Sequence, residues 1–216
     1  MTARTNGAPS APRACSSLLA CAGRLILIGA LWLVAEPALA HSDAGLVGGF
    51  LAGFSHPLNG PDHLLAMVAV GLWGAFLGRP LIYVLPVLFP AIMAAGGVLG
   101  LAGLPFPFVE LGIALSVLVL GLLIAGARTL PIAPAVAIVA AFAVCHGYAH
   151  GQELPLAADP VGYSLGFVLA TGLLHVLGIA IGELGRRSAA LALAPRLAGA
   201  AIAVAGAWFL FSATAA

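Results

Sequence analysis

Apolar residues fall in long runs along this chain, at about 44–56, 62–78, 81–103, 107–127, 131–150, 160–185 and 196–213. Most of these runs reach the roughly 20 residues that a helix needs to cross a bilayer. Short polar or proline-bearing breaks separate them: Arg79-Pro80, Leu104-Pro105-Phe106-Pro107, 128–131, an acidic loop at 151–160 and the stretch 186–196. Glycine is frequent within the runs, including Gly96, Gly97, Gly100 and Gly103 on one segment and Gly162 and Gly166 on another. Small residues of this kind let membrane helices approach closely. The pattern predicts an all-α, polytopic transmembrane helix bundle with about six crossings plus a broken or re-entrant first segment.

The first 40 residues read differently. Residues 1–24 are polar, with Arg4, Arg13 and Arg24 and no acid. An apolar run at 25–34 follows, and then Glu36-Pro37-Ala38-Leu39-Ala40. A basic start, a short apolar run and an A-x-A site describe a cleavable signal peptide over 1–40. An uncleaved first helix is the alternative, although the run is short for a span and Glu36 interrupts it. Cleavage leaves His41 at the mature N-terminus and 41–216 as one transmembrane domain. Cys15 and Cys21 depart with the signal, so Cys145 remains alone and no intramolecular disulfide forms.

Composition narrows the class. The 216 residues are 62% hydrophobic and 7% charged, with a net charge of +1 and a mean hydropathy of +1.16. A soluble domain carries roughly a quarter charged residues, which excludes a water-soluble globule. Disorder needs low hydrophobicity and high charge. All eight basic residues are Arg, with no basic patch to bind nucleic acid. Without Lys there is no phosphate-binding G-x-x-x-x-G-K-[ST] loop, so no direct use of ATP is expected.

With charge this scarce, each charged residue is informative. Arg79, Arg128 and the group Arg186, Arg187 and Arg196 fall in alternate loops, while 104–107 and 151–160 hold no Arg. The positive-inside rule assigns the Arg loops to the cytoplasm, in agreement with an exported His41. An odd number of crossings must then join His41 to Arg79. Two apolar pieces lie between them, of about 13 and 17 residues, and the first is only about 20 Å long as a helix. One net crossing through a broken segment is the economical solution. Irregular backbone at membrane depth is tolerated where protein or a water-filled cavity surrounds it, and discontinuous helices mark substrate sites in transporters.

The break carries ligand chemistry. His56, Asp62 and His63 read H-x5-D-H, with Pro57, Gly60 and Pro61 between them and Asn59 or Asp62 available to cap the following helix. Imidazole with carboxylate suits borderline divalent cations such as Ni, Co or Zn. A second group, Cys145-His146-Gly147-Tyr148-Ala149-His150-Gly151-Gln152-Glu153, ends the 131–150 run. On a helix His146 and His150 share one face, with Glu153 three residues further along it. Glu110 begins the 107–127 run, and His175 lies near the middle of 160–185. The orientation argument used only Arg, yet it gathers His56, Asp62, His63, Glu110, His146, His150 and Glu153 on the outer side. For His175, an ordinary interhelical contact and a functional role stand level. Glu183 reads as an ion-pair partner of Arg186 and Arg187, Asp43 and Asp159 as solvated loop residues, Cys145 as packing, and Trp73 and Tyr148 as packing or interface anchors. Three His and a carboxylate also suit an intramembrane zinc-dependent hydrolase, with Glu153 or Asp62 as general base.

At these residues the chain resembles the HupE/UreJ family of hydrogenase- and urease-accessory membrane proteins, regarded as nickel permeases. The resemblance rests on His56-Pro57-Leu58-Asn59-Gly60-Pro61-Asp62-His63-Leu64-Leu65-Ala66-Met67, continuing through Ala69-Val70-Gly71-Leu72-Trp73, and on His146-Gly147-Tyr148-Ala149-His150-Gly151-Gln152-Glu153. It implies a single permease domain over 41–216 in the bacterial inner membrane, with a periplasmic N-terminus. The expected cargo is Ni2+ or Co2+, carried inward for nickel enzymes such as hydrogenase or urease. Family metal-handling roles carry over to His56, Asp62, His63, His146, His150 and Glu153, with Glu110 and the terminal His41 as further candidates. No tightly bound cofactor is expected. The partners are the divalent ion and the lipid bilayer, with no nucleic acid and with room for a homo-oligomer. One departure is Cys145, where the family commonly has Phe, which sets a thiol next to His146.

Overall fold

The computed structural model describes residues 46–153 and 159–215, so the signal peptide over 1–40 and His41 lie outside the described residues. The described chain is helical, as expected. Its helices are α1 (Leu46–Asn59), α2 (Pro61–Leu77), α3 (Leu81–Leu101), α4 (Val109–Ala125), α5 (Ile132–Glu153), α6 (Pro160–Arg187) and α7 (Ala194–Ala215), with a 3-10 turn at Ala189–Leu191. Four of the segments, α3, α5, α6 and 189–215, are long and apolar enough to cross a membrane. The α1–α2 pair adds a fifth if its two bent halves count as one span. About six crossings plus a broken or re-entrant first segment were expected; the described residues give four candidate spans, or five with the bent pair, and α4 is a shorter apolar helix. It has 17 residues, confined between the proline-rich connection before it and Gly126 after it.

The first segment is broken, as expected, and the break is confined to one residue. Only Gly60 is non-helical, in an extended conformation at φ −92°, and α1 and α2 meet there at 81°. Pro57 is absorbed into the last turn of α1. Pro61 opens α2, where its missing N–H takes nothing from the helical ladder. Neither Asn59 nor Asp62 caps α2, because Asn59 still belongs to α1 and Asp62 already lies inside α2's first turn. Asp159 also differs from its expected role. It caps α6, its carboxylate accepting from the Val161 and Gly162 amides at 3.2 Å each, ahead of a proline at the first helical position.

Glycines set how the helices meet. A Cβ on Gly147 would strike the Met93 carbonyl, and one on Gly151 that of Gly97, so α3 and α5 run side by side in the same direction in backbone contact. Gly53 against Tyr163 and Gly166 against Phe50 seat α1 on the first part of α6. Gly71 against His175, with Gly178 against Val68, seats α2 further along it. Gly121 against Ala203, with Gly206 against Leu118, pairs α4 with an antiparallel α7. Of the glycines singled out by the sequence, Gly96 and Gly100 pack against α5, whereas Gly103 faces open space at φ +63° in the turn after α3.

This packing buries Trp73, Phe89, Met67 and Leu72 and leaves apolar side chains outside, Val87 being 70% exposed and Val204 72%. Apolar outer faces are what a bilayer accepts. The alternating helices sort the polar residues into two ends. At one end Trp73 Nε1 donates to the Arg128 carbonyl at 3.1 Å, and Arg196 Nε to that of Ala125 at 3.1 Å. Glu183 pairs there with Arg186 and Arg187 at 3.1 and 3.5 Å, as expected. At the other end the Tyr148 hydroxyl donates to the Leu104 carbonyl at 2.7 Å. Trp73 and Tyr148 are both buried, so their rings pack inside while their polar atoms tie down connections.

Candidate metal centre

Glu153, at the last residue of α5, is where the two motifs meet. One of its carboxylate oxygens lies 3.0 Å from His56 Nε2 and 3.3 Å from His150 Nδ1. His56, His150 and Glu153 each offer one ligand atom, and these atoms all lie within 4.8 Å of one another. The contact arises because α1 is seated on α6 by Gly53 and Gly166, which carries His56 to within 5.6 Å of the Tyr163 ring and 5.0 Å of the His150 ring. One carboxylate shared by two imidazoles is a set that divalent transition metals accept.

His63 occupies the middle. Its ring lies 4.6 Å from that of His150 and 5.0 Å from that of His146. Asp62 orients it, with Oδ1 2.9 Å from His63 Nδ1 while also accepting the His63 amide at 2.8 Å. His146 is fixed in turn by its Nδ1, 2.9 Å from the Phe142 carbonyl. A carboxylate or carbonyl on one ring nitrogen sets the tautomer and leaves the other free to ligate. In His63, His146 and His150 the other nitrogen, Nε2, is buried and has no hydrogen-bond partner among the described residues. An unpaired buried polar group costs roughly 1–3 kcal/mol, and three of them within one connected group of rings leave three imidazole nitrogens able to accept a ligand.

The structure thus regroups the expected residues. The H-x5-D-H motif is divided at the helix break: His56 joins His150 and Glu153, while Asp62 and His63 form an adjoining pair. His146 and His150 share a face as expected, but His63 bridges them instead of both chelating with Glu153. Glu110 belongs to none of these contacts. It lines, with Asp62, Phe209 and Ser212, an open cleft of about 360 Å³ between α2, α4 and α7. Asp62 therefore touches His63 on one side and this cleft on the other. Cys145 keeps to packing, its Sγ against Gly112 and 3.6 Å from the Ala141 carbonyl.

Sequence reasoning missed the residues that wall this group. Phe167 packs 4.4 Å from the His150 ring, and Phe89 lies 5.4 Å from His146 and 5.7 Å from His175. A signal was present on α6, where Tyr163, Phe167, Thr171 and His175 recur every four residues and so form one stripe along the helix.

Fold and site together define a helical membrane protein with a histidine-rich interior suited to transition-metal ions. The family described as HupE / UreJ protein matches residues 29–209. Protein HupE of Rhizobium leguminosarum bv. viciae is 46% identical over 178 residues, covering 82% of this chain and 93% of that relative. No solved structure matches. The chain belongs to the HupE/UreJ family, whose members are accessory membrane proteins of nickel–cobalt transport and not enzymes. This family membership excludes the zinc-hydrolase reading.

Proposed function

We propose that the protein is a bacterial inner-membrane permease that takes up Ni2+, and Co2+ as a second cargo, for nickel enzymes such as hydrogenase or urease. The observation that carries this reading is the run of imidazoles from half-buried His56 through His150 and His63 to fully buried His146, three of them with a free, buried Nε2. The Asp62–Glu110 cleft collects the hydrated cation. His56, His150 and Glu153 replace part of its water, and His63 and His146 accept it next. A conducting site must bind strongly enough to admit the ion and weakly enough to release it, which a series of adjoining ligands permits. The membrane potential favours inward entry of a dication by about 5 kcal/mol at roughly 100 mV.

Six crossings follow when the bent α1–α2 pair counts as one and α4 counts in full. The Arg-bearing connections then face the cytoplasm and the histidine end faces the periplasm. Cleavage after Ala40 would free His41 to contribute its imidazole and α-amine at the entrance. Mass spectrometry of the purified chain should find His41 first, and an intact residue 1 would remove that role. The main test is metal uptake into proteoliposomes with Ni2+, Co2+ and Zn2+ in competition. Saturable Ni2+ uptake, competed by Co2+, is expected. Liposomes that accumulate no more Ni2+ than protein-free controls would refute the permease.

A further inference from the structure

Beyond the histidines of the two motifs, α6 carries a buried polar pair that completes no hydrogen bond among the described residues. His175 is 1% exposed and Thr171 0% exposed, and they lie one turn apart on the same face. Among the described residues, neither ring nitrogen of His175 has a hydrogen-bond partner of good geometry, nor does the Thr171 hydroxyl. A helical Thr ordinarily bonds back to a carbonyl three or four residues earlier, and this one does not. Across from them runs α3, with prolines at 86 and 90. Pro90 has no N–H, so the Pro86 carbonyl receives no helical bond. That carbonyl faces the His175 ring without completing a hydrogen bond.

The pair continues the outer site. Tyr163 and Phe167, above it on the same stripe of α6, touch His56 and His150. Phe89 stands between His146 and His175, 5.4 Å from one ring and 5.7 Å from the other. His175 itself lies about 22 Å along α6 from Pro160 and about 18 Å from Arg187, near the middle of the helix.

We infer that His175, Thr171 and the Pro86 carbonyl form a second, inner station for a borderline divalent transition-metal ion, separated from the motif histidines by the Phe89 ring. The inference rests on the permease reading above. The station offers imidazole, hydroxyl and carbonyl ligands and no carboxylate. It therefore holds a dication more weakly than the site containing Glu153, as an inward-releasing position requires.

The test uses the full chain in lipid nanodiscs, with Cys15→Ala, Cys21→Ala and Cys145→Ala as background and Co2+ as probe. His175→Cys should produce a thiolate-to-cobalt charge-transfer band once the outer site is filled. Val176→Cys, on the lipid-facing side of the same helix, should not. In uptake, His175→Gln should slow Ni2+ transport by about tenfold or more while outer-site binding persists. Thr171→Val should slow it and Thr171→Ser should not, a contrast that serves even if the His175 variants misfold. No band beyond that of Val176→Cys, or wild-type uptake in folded His175→Gln and Thr171→Val, overturns the inner station. If the wild type itself moves no Ni2+, the permease reading fails instead.

Discussion

At the arginine end of the bundle, Glu183 pairs with Arg186 and Arg187 while the two guanidinium side chains remain 63% and 79% exposed. At the histidine end, His63, His146 and His150 each bury an Nε2 with no partner among the described residues. The first arrangement is what folding alone produces, with charge kept wet and paired at a helix terminus where cations also favour the dipole. The second works against folding, since a buried nitrogen that none of the described residues pairs carries a desolvation cost. Polar groups at the arginine end locate the helix ends. Those at the histidine end are kept despite their cost, which is what the proposed metal site accounts for.

The largest expected effect breaks the histidine end. His150→Ala and Glu153→Gln should each reduce Ni2+ uptake by about a hundredfold in proteoliposomes, with the protein still monodisperse. Uptake near wild type in either would remove the special standing of that end. Next comes the packing that aligns it. Gly147→Ala drives a Cβ into the Met93 carbonyl and should cost about 1–3 kcal/mol in denaturant titration in detergent. Gly172→Ala, with nothing within 4 Å of the added atom, should cost nothing. A smaller loss, about 1 kcal/mol, is expected from Trp73→Phe, which removes the donor to the Arg128 carbonyl, and uptake should persist. Smallest is Glu183→Gln at the arginine end. An exposed pair is worth at most about 1 kcal/mol, so neither melting temperature nor uptake should change measurably. A large uptake defect there would erase the contrast between the ends.

Much of this was legible in the residues. Long apolar runs, punctuated by Arg-bearing turns, gave the helices and their order, and the two histidine motifs supplied the candidate ligands. The grouping of those ligands was not legible. Spacing along one helix is local, and it correctly aligned His146, His150 and Glu153. Which residue of another helix reaches them depends on how the helices slide together. Backbone contacts at Gly53 and Gly166 set that register, bringing His56 to Glu153 and leaving Asp62 with His63. The narrowness of the break followed from Pro57, which reads as a helix breaker yet is accommodated in the last turn of α1. Asp159 was readable in principle, since Asp followed by Pro is a helix-start signature, but the acidic loop around it concealed the signal. The exposure of the Pro86 carbonyl to His175 depends on α6 lying against α3, which no single segment discloses.

The central claim is that His56, from one motif, and Glu153, from the other, hold a single ion together. A double-mutant cycle on Ni2+ affinity tests it, using His56→Ala, Glu153→Gln and the pair, with equilibrium dialysis of protein in nanodiscs. Residues that share one ligand couple, whereas independent sites add. The account predicts that the double variant binds scarcely more weakly than the worse single variant. Losses that multiply would assign His56 and Glu153 to separate sites and contradict it.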